Sequence, residues 1–213
     1  GVRYGREQAL RNAEVDLRAG QVVALMGRNG AGKSTLMNVL AGTRRPDLGR
    51  VAVDGRDPAT LQGGDLISRI AYVPQDPTDL FYTDSVAAEC AATDRDAGQP
   101  AGSALNRLQD LVDTVAVDTH PRDLSAGQQL ALALAIQLAA TPRIVLLDEP
   151  TRGLDYPGKV AFSRWLDRLA NLGASVLVAT HDVEFVALVG DRVIVLADGE
   201  VVTDADVRTA LTS

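Results

Sequence analysis

A glycine-rich segment at residues 27–34 constrains the fold of this chain more than any other feature of its sequence. The segment has the sequence GRNGAGKS, which fits the pattern GxxxxGK[ST]. It follows an apolar run at residues 22–26 and precedes a helical pattern at residues 33–40. Glycines let backbone N–H groups converge on phosphate oxygens, and the N-terminus of a following helix adds positive potential. The segment therefore predicts a phosphate-binding loop between a strand and a helix.

Two side chains of this phosphate loop would contact a nucleotide. Lys33 would reach the β- and γ-phosphates, and the Ser34 hydroxyl would ligate Mg²⁺. A glycine loop that only turns the chain is the alternative, but the flanking strand and helix favour phosphate binding. The nucleotide-binding residues predicted in the loop are Asn29, Gly30, Ala31, Gly32, Lys33, Ser34 and Thr35.

Two adjacent carboxylates follow a second apolar run of the chain. Residues 144–147 have the pattern of a fully buried strand, and Asp148 and Glu149 come directly after it. Ligands of α/β sheets bind at the carboxyl ends of the strands. Asp148 can therefore orient Mg²⁺, and Glu149, which points the other way, can polarise an attacking water. A solvated acidic turn is the alternative, and the phosphate loop upstream disfavours it.

The alternation of strand and helix patterns along the chain predicts an α/β fold with a mainly parallel sheet. The length of 213 residues suits one domain, which we expect to cover residues 1–213. Residues 49–55 have the pattern of a short hairpin-like strand. Residues 76–124 are rich in alanine and aspartate and show helical spacing, so we predict a small helical subdomain there.

The composition excludes several classes of protein. No apolar run reaches the ~18–20 residues that span a bilayer, so we do not expect this chain to cross a membrane itself. The single cysteine, Cys90, excludes a disulfide framework and indicates a reducing compartment. A net charge of −7 argues against broad binding of free nucleic acid. The chain begins at Gly1 without a leader, which suggests a piece of a larger or tandem polypeptide.

Further short motifs occur in a fixed order around these two sites. Residues 124–128 have the sequence LSAGQ. Together with the phosphate loop and the acidic pair, this segment resembles the ATP-binding cassette (ABC) ATPase family, whose signature motif it would be. VPQD at residues 73–76 resembles the family's Q-loop, GLD at residues 153–155 its D-loop, and THD at residues 180–182 its switch-histidine loop. Tyr4 lies where the family places an aromatic ring that stacks on adenine. The resemblance covers nearly the whole chain.

The resemblance implies an ATP hydrolase with the P-loop NTPase fold, an N-terminal antiparallel β portion and an inserted helical subdomain. It implies that ATP and Mg²⁺ are bound, with Lys33, Gln75, Glu149 and His181 as catalytic residues. His181 would hold the γ-phosphate and the water, and Gln75 would touch Mg²⁺ or the water. The metal-binding residues would be Ser34, Gln75 and Asp148.

The resemblance also implies a second cassette as a partner. Two cassettes pair head to tail, as a homodimer or a heterodimer, and each ATP lies between the phosphate loop of one and the signature of the other. Asp155 would communicate across this dimer. The residues that would contact the partner's nucleotide are Ser125, Ala126, Gly127 and Gln128.

Two finer features resemble the energy-coupling-factor branch of the family, whose importers take up vitamins or transition-metal ions such as cobalt and nickel. Residues 150–157 have the sequence PTRGLDYP, and PQDP at residues 74–77 is followed by Leu80 and Phe81. This branch implies a cytoplasmic ATPase, peripheral on the inner face of the cell membrane, that powers transmembrane subunits and binds no nucleic acid. We expect the contact with those subunits around residues 75–122.

Departures from the family's pattern keep other functions open. Position 126 is Ala where the family usually has Gly, and Gln129, Leu130 and Ala131 replace basic residues. A nucleotide-gated binding module with weak hydrolysis is therefore one alternative, although Glu149 argues against it. A soluble cassette ATPase that acts on nucleic acid or ribosomes is another, but it would need a coiled-coil insertion or basic arms.

Four side chains outside the motifs receive a prediction of their own. Phe81 and Tyr82 are either an exposed contact for a membrane partner or part of the core of the helical subdomain, and both readings stay open. Cys90 lies in a helical pattern and is predicted to be a small core residue. His120 precedes a proline in a polar loop and is assigned no role.

Overall fold

Two sheets and seven helices make up residues 1–112 and 114–207, the part of the chain that the computed structural model describes. The strands are β1 (Val2–Tyr4), β2 (Glu7–Leu10), β3 (Val22–Met26), β4 (Ile70–Val73), β5 (Ile144–Asp148), β6 (Ser175–Ala179), β7 (Arg192–Ala197) and β8 (Glu200–Asp206). The helices are α1 (Lys33–Leu40), α2 (Gly63–Ile67), α3 (Val86–Asp96), α4 (Ser103–Leu111), α5 (Ala126–Gln137), α6 (Tyr156–Asn171) and α7 (Val183–Val189).

The larger sheet has six strands in the order β4-β5-β6-β3-β7-β8. All neighbouring strands pair in parallel except β8, which runs antiparallel to β7. This confirms the predicted mainly parallel sheet. The carboxyl ends of β3, β4, β5 and β6 therefore lie at one edge, and the loops that follow these four strands meet there.

Apolar side chains cover both faces of the large sheet. On β5, Val145 and Leu147 belong to a cluster with residues of α3 to α7, and Leu146 belongs to a cluster with residues of α1. All three side chains have no exposed surface. The alternation follows from the two-residue period of a strand, and it explains why β5 is apolar at consecutive positions.

The N-terminal β portion is confirmed as an antiparallel pair of β1 and β2. The strand predicted at residues 49–55 is wrong, because only an isolated bridge forms between Val53 and Arg56. Asp54 and Gly55 lie between these two residues with φ of +50° and +76° and turn the chain back on itself. No strand pair extends from this turn, and the bridge between Val53 and Arg56 stays isolated.

Helices α3 and α4 lie within the segment at residues 76–124, whose limits as a subdomain stay a prediction. Cys90 is buried in this segment, as predicted. Phe81 is 4% exposed and belongs to the core, as one of the two predictions for it stated, whereas Tyr82 is 84% exposed and lies outside the core. The buried carboxylate of Glu89 accepts hydrogen bonds from the N–H groups of Tyr82 and Thr83, and so holds Tyr82 outward.

Ser125 caps the N-terminus of helix α5, and the helix is unusually apolar because it is buried. The Ser125 hydroxyl accepts a hydrogen bond from the Gln128 N–H, and the Gln128 side chain accepts one from the Ser125 N–H. This capping box fixes the start of the helix. Residues 130–135 then pack against the sheet and the neighbouring helices. Within the described residues, no helix combines the length and the apolar character needed to cross a membrane.

We expect Phe81→Ala to lower the free energy of unfolding by about 3–5 kcal/mol, because it removes a buried aromatic ring. Tyr82→Ala is the matched control next to it and should change that free energy by less than about 0.5 kcal/mol. Urea denaturation of both variants measures the difference. Equal effects of the two changes would contradict the burial of Phe81 and the exposure of Tyr82.

Candidate functional site

A cleft of about 1020 Å³ lies at the edge where the four parallel strands end. It is formed by the loops that follow β3, β4, β5 and β6 and by residues of β1 and β2. The residues that line it are Tyr4, Glu7, Ala9, Asn29, Gly30, Gly32, Lys33, Ser34, Thr35, Gln75, Asp148, Glu149, Thr151, Arg152, His181, Asp182, Val183 and Glu184. The cleft thus brings together side chains that lie far apart in the sequence.

The phosphate loop between β3 and α1 requires glycine at two positions. Gly27 has a φ of +153°, and a Cβ there would lie 2.4 Å from the carbonyl oxygen of Leu196. Gly32 has a φ of +105°, and a Cβ there would lie 2.6 Å from the carbonyl oxygen of Ala9. Both positions combine a left-handed backbone with close contact to other backbone, so no other residue fits without a shift.

Lys33 is held inside this loop. Its side chain is largely buried, and its Nζ donates a hydrogen bond of 2.7 Å to the carbonyl oxygen of Gly27. The hydrogen bonds of this ammonium go to carbonyl groups of the loop and not to a carboxylate. Its positive charge is therefore available to an anion that enters the cleft. Ala31, which the sequence also predicted as a nucleotide contact, does not line the cleft, and its N–H donates to the carbonyl of Arg28.

Asp148 lies at the floor of the cleft and is 5% exposed. Burial raises the pKa of this carboxyl, and the Ser34 hydroxyl and the Lys33 ammonium offset part of the rise. The hydroxyl of Ser34, the carboxyl of Asp148 and the side-chain amide of Gln75 all reach the cleft. Oxygen ligands of this kind are those that Mg²⁺ prefers, so the donor set fits the ion.

Glu149 and His181 contact each other across the cleft. Nδ1 of His181 lies 2.9 Å from both carboxylate oxygens of Glu149. Glu149 has a φ of +49°, which costs a non-glycine residue about 1–2 kcal/mol. Its N–H donates a hydrogen bond of 2.8 Å to the carbonyl of Ala179 at the end of β6, which offsets part of this cost. The pair can accept a proton and orient a water molecule.

Gln75 and Tyr4 also line the cleft, and they come from two other parts of the chain. Gln75 follows β4 and also lines a neighbouring cavity of about 350 Å³, which Glu149 and Ala126 reach as well. Tyr4 is 48% exposed at the end of β1, and the guanidinium of Arg44 lies 5.0 Å from the centre of its ring. An exposed aromatic face at this place is available to stack on a planar ring.

The signature residues lie outside the cleft of their own chain. Ser125, Gly127 and Gln128 line neither the cleft nor the neighbouring cavity, and Ala126 lines only the cavity. Ala126 is the first residue of α5 and is not among the non-glycine residues with positive φ in the described part of the chain. Alanine in place of the family's usual glycine therefore introduces no backbone strain here.

Several residues of the cleft carried no prediction from the sequence. Arg152 directly precedes the D-loop and Asp182 belongs to the switch-histidine loop, so their position in or beside these motifs was a usable signal. Glu7 and Ala9 come from β2, which has no motif, and only the packing of the small sheet beside the phosphate loop brings them to the cleft.

A strand joined to a helix by a loop of this pattern defines the P-loop class of nucleotide-binding proteins, and the fold assigns the chain to that class. The family model described as ABC transporter matches residues 10–152. The chain accordingly belongs to the ABC transporter family.

Individual relatives agree with this family. A Streptomyces avermitilis protein named as an ABC transporter ATP-binding protein is 51% identical over 203 residues, which are 95% of this chain and 36% of that protein. The chain thus spans about a third of the length of that relative. The dimeric structure of MJ0796, a bacterial ABC transporter cassette, is 30% identical with a TM-score of 0.80, and the match covers 94% of this chain and 91% of that one.

A second solved structure is similar to a comparable degree. It is that of cbiO1 from Clostridium perfringens, described as part of the ABC transporter complex cbiONQ. Its TM-score is 0.82 at 27% identity, and the match covers 96% of this chain and 84% of that one.

We expect Lys33→Ala to weaken the binding of ATP by about 100-fold or more, because the variant loses a charged hydrogen-bond donor in a buried loop. Isothermal titration calorimetry with ATP measures the change. Thermal denaturation serves as the control that the variant is folded. An affinity within a few-fold of the wild-type value would contradict the assignment of the phosphate loop.

Proposed function

We propose that the chain hydrolyses ATP to power a membrane importer. The contact between Glu149 and His181, in the cleft that Lys33 of the phosphate loop also lines, is the observation that carries this proposal. The residue proposed as proton acceptor and the cation proposed to bind phosphate thus line the same cleft. The fold that surrounds them belongs to a family of ATP-hydrolysing cassettes.

The proposed reaction is the attack of water on the γ-phosphate. Lys33 would neutralise the charge of the β- and γ-phosphates, and Tyr4 would stack on the adenine. Glu149 would accept the proton of the attacking water, and His181 would hold the water and the γ-phosphate in line. Mg²⁺, held by Ser34, Asp148 and Gln75, would neutralise phosphate charge when it is bound. Catalysis would come from positioning and electrostatics more than from covalent chemistry.

A second cassette would complete the site. The signature residues of this chain do not line its own cleft, which agrees with a role at the nucleotide of a partner. The N-terminus of α5 presents the backbone N–H groups of Ala126 and Gly127, and the hydroxyl of Ser125 caps the same turn. The residues proposed to contact the partner's nucleotide are Ser125, Ala126, Gly127 and Gln128.

We expect Glu149→Gln to bind ATP but to hydrolyse it at least about 100-fold more slowly, because the amide cannot accept the proton. Bound ATP should then accumulate a dimer, since nucleotide that bridges two cassettes favours the paired state. Light scattering with and without ATP, beside a turnover assay, tests both statements. Wild-type turnover in this variant would assign the proton acceptor to another residue.

The importer and its branch are supported by motifs and by a relative. Residues 150–157 and 74–77 resemble the energy-coupling-factor cassettes, and cbiO1 is described as part of a transporter complex. The transported solute would then be a vitamin or a transition-metal ion. The chain would lie at the inner face of the cell membrane, bound to transmembrane subunits.

The surface proposed to contact these subunits is centred on Tyr82. Its ring is 84% exposed on a loop that follows Gln75 by a few residues, and the carboxylate of Glu89 holds the backbone of this loop. Asp79 and Asp84, three residues before and two residues after Tyr82 in the sequence, are also exposed. Such an aromatic contact with an acidic rim fits an apolar segment that carries basic residues.

We expect Tyr82→Asp to lower transport by about tenfold while ATP hydrolysis without the membrane subunits stays within about twofold, because Tyr82 does not line the cleft. Uptake in proteoliposomes and ATPase assays measure the two quantities. Arg164→Gln, an exposed change on α6 outside residues 75–122, lowers the charge by the same one unit and is the control. Unimpaired uptake with Tyr82→Asp would move the contact surface elsewhere.

A nucleotide-gated binding module with weak hydrolysis is the second candidate. The observation that favours it is the loss of basic residues after the signature, where Gln129, Leu130 and Ala131 stand. The regular start of α5 at Ala126 argues for retained activity. Turnover of the full-length protein with its partner cassette separates the two functions.

A further inference from the structure

One ion pair joins helix α6, which begins directly after the D-loop, to the switch-histidine loop. Nζ of Lys159 on α6 lies 2.5 Å from Oδ2 of Asp182, and their side chains are 19% and 17% exposed. Lys159 lies one turn after Asp155, which caps the N-terminus of α6. Asp182 directly follows His181. Because the pair is largely buried, solvent and salt screen it less than they screen a surface pair.

Asp182 uses its two carboxylate oxygens for different contacts. Oδ1 accepts a hydrogen bond of 3.1 Å from the N–H of Phe185 and so caps α7. Oδ2 accepts from Lys159. The N–H of Asp182 donates to the hydroxyl of Thr180 at 3.1 Å. These contacts fix the backbone conformation of residues 180–182, and His181 is the middle residue of this segment.

The hydroxyl of Thr180 also reaches the acidic pair. It donates to Oε2 of Glu149 over 3.4 Å, and Nδ1 of His181 lies 2.9 Å from the same carboxylate. A continuous series of contacts therefore links Lys159, through Asp182 and Thr180, to the Glu149–His181 pair. This pair is proposed to hold the attacking water and to accept its proton. In the described part of the chain, the Lys159–Asp182 and Glu149–His181 pairs are the two ion pairs that include residues of the cleft.

An aromatic contact holds the same two helices together without the ion pair. Phe162 of α6 and Phe185 of α7 stack with ring centres 5.7 Å apart, and both are buried. Each lies three residues after a member of the ion pair. Removal of the Lys159 charge should therefore leave α6 and α7 packed but release one oxygen of Asp182.

We propose that Lys159 is a positioning residue for ATP hydrolysis, which holds His181 against Glu149 through Asp182. A shift of the D-loop at Asp155 would move the first turns of α6, and the ion pair would carry that shift to the switch-histidine loop. The D-loop of one cassette would in this way influence the geometry of its own hydrolytic pair. This inference rests on the proposed function.

Lys159→Met tests the inference, because methionine keeps the length of the aliphatic stem and removes the charge. In the full-length protein with its partner cassette, kcat should fall by about tenfold while KM for ATP stays within about threefold. Lys159→Arg should restore kcat to within about threefold of the wild-type value, because it restores the ion pair. Arg164→Met, an exposed change on the same helix, is the matched control and should leave kcat unchanged.

Asp182→Asn separates the ion pair from the helix cap, because asparagine still caps a helix N-terminus but carries no charge. This variant should show the same loss of kcat as Lys159→Met. The double variant should be no slower than either single one, since both remove one interaction. Hydrogen exchange of the amides at residues 180–183 should be faster in Lys159→Met than in the wild type.

Two results would overturn the inference and leave the proposed function intact. The first is an active wild type with unchanged kcat in Lys159→Met, whatever happens to its melting temperature. The second is unchanged hydrogen exchange at residues 180–183 in that variant. A wild-type assembly that binds ATP but does not hydrolyse it would overturn the proposed function, and the inference with it.

Discussion

The parallel pairing of β3, β6 and β5 is the constraint on which the rest of the structure depends. Leu25 of β3 pairs with Ala179 of β6, and Ala179 pairs with Asp148 of β5. The phosphate loop, the switch-histidine loop and the acidic pair therefore begin at the same level of one edge. A register shift of one residue would turn the side chains of a strand to the opposite face and separate these groups.

The same edge concentrates conformations that cost free energy. Gly27 and Gly32 have left-handed backbones against neighbouring carbonyl groups, and Glu149 adopts a positive φ without being a glycine. Lys33 and Asp148 are buried charges close to one another. The two apolar clusters on the faces of the sheet hold this edge rigid, so the groups are oriented before a ligand arrives.

Short-range patterns determine the local structure where a single turn or cap decides it. The start of α5 at Ser125 follows from a hydroxyl and a glutamine three residues apart, and both hydrogen bonds of that capping box are present. The strand expected at residues 49–55 failed because a strand needs a partner, and a tight turn at Asp54 and Gly55 leaves only one bridge. Strand formation depends on contacts that no local pattern contains.

The sequence by itself determined the P-loop class, the mainly parallel sheet, and the motif residues that surround the cleft, such as Lys33, Glu149 and His181. It could do so because each motif needs fixed residue types at a fixed spacing. Only the tertiary structure decided that Phe81 is buried while Tyr82 is exposed, and that residues of β2 reach the cleft. The side chains of adjacent residues point in different directions. Which of them is buried depends on helices and strands that are distant in the sequence and pack against them.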